Sequence, residues 1–299
     1  MDIDVGRVGI WSSARLWDGG GEGGPGEVRE AAAELDELGF GALWFGSLAA
    51  DMELVSTMLS ASRRMVVATG VVNVWLSSPS SVAAFAHDMS TAHPGRFLLG
   101  VGASHAPTAA SVGRAYDHPL AELDRYLDGL DAAPDPVPAG QRVVAALGPR
   151  ALSLAARRSA GAHPYLVTPS HTASARSAIG PDKLLATEQM VVLESDPEVA
   201  RSVARSHLQR YLVLDNYRRS LRRLGFTEAD LDGGGSDRLV DEVFAWGGAD
   251  EAAARVAAHH AAGADHVCVQ AFTADQQRPD GFPALPRAAW RTLAAALLS

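Results

Sequence analysis

Apolar runs that predict strands alternate with alanine-rich stretches that predict helices along most of this chain. Because repeated strand–helix–strand units favour parallel pairing, the alternation predicts an α/β protein. The sequence predicts eight strands, which is the number in a closed (β/α)8 TIM barrel, and we expect one such domain over residues 1–299. The eight predicted strands are Arg7 to Trp11, Ala42 to Phe45, Met65 to Val74, Phe97 to Ala103, Val143 to Leu147, Tyr165 to Thr168, Met190 to Leu193, and His266 to Phe272.

The segment between the seventh and eighth predicted strands is longer than one connecting helix requires. It contains a helical stretch from Glu198 to Leu224 and a break at residues 233–235, which are all glycine. We therefore expect a helical insertion before the last strand. A second glycine-rich stretch, residues 19–25, follows the first strand, and it is either a mobile lid over the site or slack surface loop.

Composition and charge exclude several classes of function. Hydrophobic residues make up 47% and charged residues 20% of the chain, and no apolar run reaches the ~20 residues of a membrane span. The net charge of -9 argues against a nucleic-acid partner, because phosphate binding needs clustered cations. No secretory signal begins the chain, so we expect a cytoplasmic protein. The single cysteine, Cys268, lies in an apolar run and predicts a buried thiol.

Four arginines do cluster on one predicted helix, and we interpret them as its solvated face. They are Arg218, Arg219, Arg222 and Arg223.

The fourth predicted strand ends in two alternating glycines, and a polar pair follows it. Gly100 and Gly102 leave room for a close approach to the backbone, and Ser104 and His105 come next, at the strand end where parallel α/β folds bind ligands. A dinucleotide-binding motif that began at these glycines would need a third glycine at position 105. Position 105 is a histidine, so the sequence does not predict such a motif. We interpret His105 as an acid, base or ligand-binding residue beside Ser104, with a structural loop residue as the alternative.

Polar and aromatic residues near other strand ends are further candidates. Asn73 interrupts an apolar strand and needs hydrogen bonds from a ligand or from the neighbouring backbone. Gly70 predicts a bulge or a close approach of ligand. Trp11, Trp44 and Trp75 are predicted to line a substrate pocket, although Trp44 is equally consistent with the core.

Two predicted helix starts are candidates for binding an anion. Gly148-Pro149-Arg150 follows the fifth predicted strand, and Thr168-Pro169-Ser170 follows the sixth. Free backbone amides at a helix start can hold phosphate, although each motif alone is also an ordinary helix cap. No metal site is predicted, since His259 and His260 are adjacent in a helix and their side chains diverge. Walker and nucleophile-elbow motifs are both missing from the sequence.

Five segments together resemble the bacterial luciferase-like oxidoreductases, and within them the branch that uses the deazaflavin coenzyme F420. The resemblance extends over nearly the whole chain. The segments are Leu35 to Trp44, Ala68 to Asn73, Pro94 to Gly102 with Ser104 to Pro107, Gly161 to Thr168, and Ala262 to Val267.

The resemblance implies a (β/α)8 barrel, usually a homodimer, with the deazaflavin or a flavin at the carboxyl ends of the strands and a small molecule as substrate. It implies a cis peptide at Gly70-Val71 behind the ring and places Asn73 at the ring or its side chain. Gly102 to His105 would flank the ring and the ribityl chain, and Gly148, Pro149 and Thr168 would approach the phosphate region. An alanine-rich face at Val82 to Met89 is a candidate dimer surface.

One departure from the family concerns the proton donor. Many relatives carry a glutamate just after the second strand, where this chain reads Gly46-Ser-Leu-Ala-Ala-Asp51. His105 becomes the best candidate by default. We therefore expect an F420-dependent oxidoreductase that acts on a small or specialised metabolite. The alternatives are an FMN-dependent monooxygenase on the same fold and a catalytically idle barrel that binds a ligand.

Overall fold

The computed structural model describes residues 3–17, 24–46, 53–274 and 284–299. The strands are β1 Val8–Ser13, β2 Ala42–Gly46, β3 Val66–Thr69, β4 Val72–Asn73, β5 Phe97–Gly102, β6 Arg142–Val144, β7 Gly161–Ala162, β8 Leu184–Val192, β9 Phe244–Trp246 and β10 His266–Phe272. The helices are α1 Gly24–Leu38, α2 Glu53–Ala61, α3 Pro79–Ala92, α4 Ala106–Ser111, α5 Pro119–Asp131, α6 Pro149–Arg158, α7 Pro169–Ile179, α8 Pro197–Leu212, α9 Asp215–Arg223, α10 Glu228–Leu231, α11 Asp237–Val243, α12 Ala249–Ala261 and α13 Arg287–Leu297.

Parallel pairing closes the strands into a ring. The order is β10, β1, β2, β3, β5, β6, β7 and β8, and β8 pairs again with β10 along Ala186 to Val192. β3 and β4 share the third position, because both pair with β5. Helices alternate with the strands around this ring, which confirms the predicted (β/α)8 barrel.

The third predicted strand, Met65 to Val74, is broken in the middle. β3 ends at Thr69 and β4 begins at Val72, and between them the Gly70 N–H donates to the carbonyl of Phe45 on β2 at 2.6 Å. The bulge expected at Gly70 is therefore present. No cis peptide bond occurs in the described residues, so the Gly70–Val71 bond is trans, contrary to what the resemblance implies.

The sixth predicted strand is wrong in position. Tyr165 to Thr168 is a loop leading to α7, and the barrel strand is the two-residue β7, earlier in the chain. Leu166 takes a φ of +59°, outside the extended region, and its N–H donates to the Glu188 carboxylate instead of to a neighbouring strand. The apolar loop is nevertheless buried, and burial without strand pairing is what made it resemble a strand.

The predicted insertion is present. Helices α8 to α11 follow β8, and the short strand β9 then pairs with the last three residues of β8, a pairing that the sequence did not predict. Because β10 occupies one edge of β8, β9 lies on the other edge, beyond the two residues that pair with β7. The insertion is thereby held over the carboxyl ends of the barrel strands.

The core has two parts. One fills the barrel and includes Trp44, Leu98 and Cys268, so the buried thiol is confirmed. The other part lies between the barrel and the helices, and Val82, Ala83 and Ala86 on the apolar side of α3 are buried in it. Within the described ranges, no helix is both long and apolar enough to cross a membrane. Most of the glycine-rich stretch after β1, and the segment after Gly46, lie outside the described residues.

Candidate active site

A cavity of about 1820 Å³ opens at the carboxyl ends of the barrel strands. This volume exceeds the roughly 300–1,000 Å³ of an ordinary ligand pocket. The cavity brings together eight of the predicted site residues, namely Trp11, Gly70, Val71, Asn73, Ser104, His105, Gly148 and Pro149.

Four other predicted site residues do not line this cavity. Trp44 stacks on His163 inside the barrel, with ring centroids 4.4 Å apart. The Trp75 indole donates to the carbonyl of Ala103 at 2.6 Å and lines a smaller cavity of about 490 Å³. Thr168 caps α7 by accepting the His171 N–H. At Gly102 a side chain would meet Val71, so this glycine allows β5 to pack against the bend between β3 and β4.

Asn73 lines the cavity at the end of β4. Its side-chain oxygen accepts the N–H of Trp75 at 3.0 Å, so the neighbouring backbone satisfies that atom. The sequence left open whether a ligand or the neighbouring backbone would bond to this amide. The backbone bonds to its oxygen.

His105 stands on the loop after β5 and is held from both sides. Its Nδ1 lies 3.2 Å from the side-chain oxygen of Asn216 on α9, and its ring lies 5.5 Å from that of Tyr217. Ser104 before it has a left-handed φ of +49°, and the Ser104 carbonyl accepts the Tyr116 hydroxyl at 2.7 Å. Residues held in this region are frequent at functional sites, because the surroundings must enforce the conformation.

The environment of His105 sets its protonation. Burial lowers the pKa of His105 below its ordinary 6.5, and the bond to Asn216 opposes that shift. Since the Asn216 oxygen can only accept, Nδ1 carries the proton of the neutral ring and Nε2 keeps its lone pair. The side chain is thus a neutral base at physiological pH.

Positive charge collects at the end of the cavity where α6 begins. Gly148 caps α6, and a side chain there would lie 3.4 Å from the guanidinium of Arg223. Arg150 on α6 and Arg219, one turn before Arg223 on α9, also line the cavity, and so does Asp215 at the start of α9. Burial, and then the charge of Arg219, lower the pKa of Arg223. Guanidinium groups beside free helix amides form a site for anions.

The arginine cluster on α9 therefore has two faces. Arg218 and Arg222 form ion pairs with Glu228 and are the solvated face that the sequence predicts. Arg219 and Arg223 line the cavity, which the sequence analysis missed. The i, i+4 spacing within each pair was the available signal, because it places the two pairs on different sides of the helix.

The floor of the cavity holds two buried nitrogens. Trp11 Nε1 and His163 Nε2 have no hydrogen-bond partner among the described residues. Both adjoin Gly70, where an added Cβ would lie 3.0 Å from the tryptophan nitrogen and 3.3 Å from the histidine nitrogen. His163 is not among the residues predicted from the sequence, since an isolated histidine beside a short strand carries no distinguishing pattern.

Tyr211 and Tyr217 of the insertion, together with Tyr165 of the loop before α7, form another wall of the cavity. The Tyr165 hydroxyl contacts His207 Nε2 and the Tyr211 hydroxyl at 3.0 Å each, and donates to Gln270 at 2.9 Å. Its ring lies 4.8 Å from that of Trp11. Burial, and then the neighbouring Tyr211 and Glu188, raise the pKa of Tyr165. Burial raises the pKa of Glu188 itself to about 8, so this carboxyl is mostly protonated at neutral pH.

No group of three or more histidine, cysteine or acidic residues within the described ranges is arranged to hold a metal ion.

The sequence from residue 6 to residue 266 matches the model of the luciferase-like monooxygenase family. The chain belongs to this family. A search of curated proteins found no match.

Solved structures share the luciferase-like fold. An F420-dependent secondary alcohol dehydrogenase, in complex with an F420–acetone adduct, is 13% identical with a TM-score of 0.74, covering 98% of this chain and 99% of that one. The F420-dependent tetrahydromethanopterin reductase of Methanopyrus kandleri is 12% identical with a TM-score of 0.65, covering 99% of each chain. The oxygenating constituent of 3,6-diketocamphane monooxygenase from Pseudomonas putida, in complex with FMN, is 16% identical with a TM-score of 0.67, covering 97% and 96%.

These luciferase-like neighbours include both F420-dependent enzymes and an FMN-bound monooxygenase. At such identities the likeness shows the fold alone. The family match establishes a luciferase-like oxidoreductase or monooxygenase scaffold, and the neighbours with this fold use either F420 or FMN.

Proposed function

We propose that this luciferase-like protein is an F420-dependent oxidoreductase that transfers a hydride between the deazaflavin ring and a small or specialised metabolite. The observation that carries the proposal is the group of three arginines, Arg150, Arg219 and Arg223, at one end of the cavity. None of them forms an ion pair with an acidic side chain of the described residues. F420 carries a phosphodiester and carboxylates beyond its ribityl chain, whereas FMN ends in one phosphate, and three cations suit the more anionic tail.

Different residues of the cavity would contact the tail and the ring of this cofactor. The α6 amides and the arginines would hold the anionic tail, and the backbone at Gly70 and Val71 would support the ring, with Trp11 and His163 at its edge. The volume left beside His105 and the tyrosines of the insertion would take the substrate.

When bound, F420 supplies a ring carbon that accepts or donates the hydride. His105 supplies the proton transfer. Its Nε2 lone pair would take the proton of a substrate hydroxyl during oxidation and return a proton to a carbonyl oxygen during reduction. Asn216 fixes the tautomer by accepting from Nδ1. Tyr116 fixes the loop, because its hydroxyl binds the Ser104 carbonyl.

Titration of the purified protein with F420 and with FMN, followed by absorbance assays of F420 turnover with a panel of alcohols and ketones, tests the proposal. We expect tighter binding of F420 than of FMN and turnover with at least one substrate class. Tight FMN binding without F420 binding, together with oxygen consumption on reduced FMN, would identify the monooxygenase alternative instead. Binding without any turnover would indicate an idle barrel.

A further inference from the structure

Four aromatic side chains form one continuous wall of the large cavity, and this wall ends at His105. The ring centroids of Trp11 and Tyr165 lie 4.8 Å apart, and those of Tyr165 and Tyr211 lie 5.3 Å apart. The Tyr217 ring lies 5.0 Å from that of Tyr211 and 5.5 Å from that of His105. Each spacing is within the range of direct ring contact. We call Trp11, Tyr165, Tyr211 and Tyr217 the aromatic wall.

The aromatic wall is open to the cavity. All four of its residues line the cavity, and so does His105. Tyr211 and His105 are partly exposed, while Trp11, Tyr165 and Tyr217 keep 8%, 9% and 7% of their surface accessible. A ligand that lies beside His105 therefore contacts rings of the wall.

The hydroxyl groups of Tyr165 and Tyr211 are turned away from the cavity. The Tyr165 hydroxyl lies 3.0 Å from both His207 Nε2 and the Tyr211 hydroxyl, and it donates to Gln270 at 2.9 Å. His207 and Gln270 lie outside the cavity lining. The two tyrosines therefore present ring carbon to a ligand, and their polar atoms bond to protein.

The wall is also neutral. Burial raises the pKa of Tyr165 and Tyr217 well above the ordinary 10, and it raises the pKa of Tyr211 as well. Neutral aromatic rings attract other rings through edge-to-face and offset-stacked contacts, which add to the gain from hydrophobic burial. A saturated ring lacks these contacts, so this surface favours an aryl group.

We propose that the substrate at His105 is an aryl carbinol or an aryl ketone, with its aryl ring on the aromatic wall and its oxygen at His105 Nε2. The inference rests on the proposed function for the redox reaction, and it adds the substrate class. In oxidation the carbinol carbon gives its hydrogen as a hydride to the oxidised deazaflavin, and the hydroxyl proton passes to His105. The C–O single bond then becomes the carbonyl, and reduction is the reverse.

The test compares acetophenone with cyclohexyl methyl ketone, which has the same number of heavy atoms. Ligand-observed NMR titration of the whole protein without cofactor measures both affinities. We expect acetophenone to bind about fivefold more tightly, because ring contacts favour it. Hydrophobic burial alone does not predict this order, since the cyclohexyl group is at least as apolar. Equal affinities, tighter binding of the saturated ketone, or no acetophenone binding at millimolar concentration would overturn the inference.

Two variants at one position assign the preference to the wall. Tyr211→Leu removes a partly exposed ring and should reduce the preference to about twofold or less. Tyr211→Phe keeps the ring and removes only the hydroxyl that bonds to Tyr165, so the preference for acetophenone should remain. In both variants the Tyr165 hydroxyl still has His207 and Gln270 as partners. An unchanged preference in Tyr211→Leu, or an equal loss in both variants, would contradict the inference.

The substrate class and the proposed function fail in different ways. The binding titrations need no turnover, so absence of F420 turnover together with the aryl preference would refute the proposed function alone. F420 turnover of 1-phenylethanol and 1-cyclohexylethanol provides the second comparison. A kcat/KM that is equal for the two alcohols, or higher for the saturated one, would leave the proposed function standing and overturn the substrate class.

Discussion

At residue 105 the chemistry depends on which ring nitrogen carries the proton. Asn216 holds it on Nδ1, which leaves Nε2 free to act on substrate. We predict that His105→Ala lowers kcat of F420-dependent turnover by about 10²–10⁴, the usual contribution of a general acid or base. His87→Ala, at an exposed histidine outside the cavity lining, is the matched control and should keep full activity. Unchanged turnover in the His105 variant would remove this histidine from the mechanism.

The pH profile tests the same residue independently. The pKa of His105 is lowered, so its neutral form persists below the ordinary value of 6.5. In the direction of alcohol oxidation the neutral base is required, so kcat should be constant around neutral pH and should fall as pH drops through the lowered pKa. The acid limb should vanish in His105→Ala. A wild-type limb centred above 6.5 would contradict the assignment to this buried ring.

Helix α9 is the element that divides its charges between solvent and cavity. We predict that Arg223→Gln weakens F420 binding about tenfold and makes it less sensitive to salt, because an unpaired cation beside the anion is lost. Arg222→Gln on the same helix removes a cation that pairs with Glu228 and should leave the affinity nearly unchanged. Fluorescence titration at two salt concentrations measures both. Equal losses in the two variants would mean that the helix acts through its net charge only.

The glycines of strand β5 are needed because neighbouring residues pack closely against its backbone. At Gly100 a Cβ would overlap the carbonyl of Thr69, whose hydroxyl accepts the Gly100 N–H at 2.6 Å. Gly100 and Gly102 make room for the bent third strand, so the close approach expected from the sequence comes from neighbouring protein.

Substitution at these positions should therefore affect stability. We predict that Gly100→Ala destabilises the fold by about 3 kcal/mol or more, because backbone must shift to admit the methyl group. Gly140→Ala, at a glycine with open space around its Cα and no positive φ, should change stability by less than about 0.5 kcal/mol. Urea unfolding measures both, and an unchanged midpoint for Gly100→Ala would contradict the predicted packing.

For the whole molecule, ligand binding and stability are linked. A ligand that binds only the folded barrel stabilises it by about 2.7 kcal/mol at a hundred times its Kd. With an unfolding entropy of about 2.1 cal/mol/K per residue, this corresponds to a Tm rise of roughly 4 °C for a chain of 299 residues. We predict this rise with F420 and a smaller one with FMN at equal concentration, measured by differential scanning fluorimetry. The reverse order would favour the FMN-dependent alternative.

The homodimer implied by the resemblance stays a prediction at this scale. Since Val82, Ala83 and Ala86 pack into the protomer's own core, the apolar side of α3 is not free for a partner.

The repeated strand–helix units and the residues that follow the strands can be predicted from the amino-acid sequence, because apolar periodicity and strand-end polarity are local properties. The barrel, its late insertion, and the presence of Trp11, Ser104, His105 and Gly148 at one cavity follow from that pattern. The sequence does not predict that Asn216 and Arg223 reach the same cavity, because the insertion folds back over the barrel through contacts between residues distant in sequence. Only the tertiary structure decides that Trp44 belongs to the core and that His163 presents an unpaired nitrogen, since burial and hydrogen-bond satisfaction depend on neighbours that no local pattern specifies.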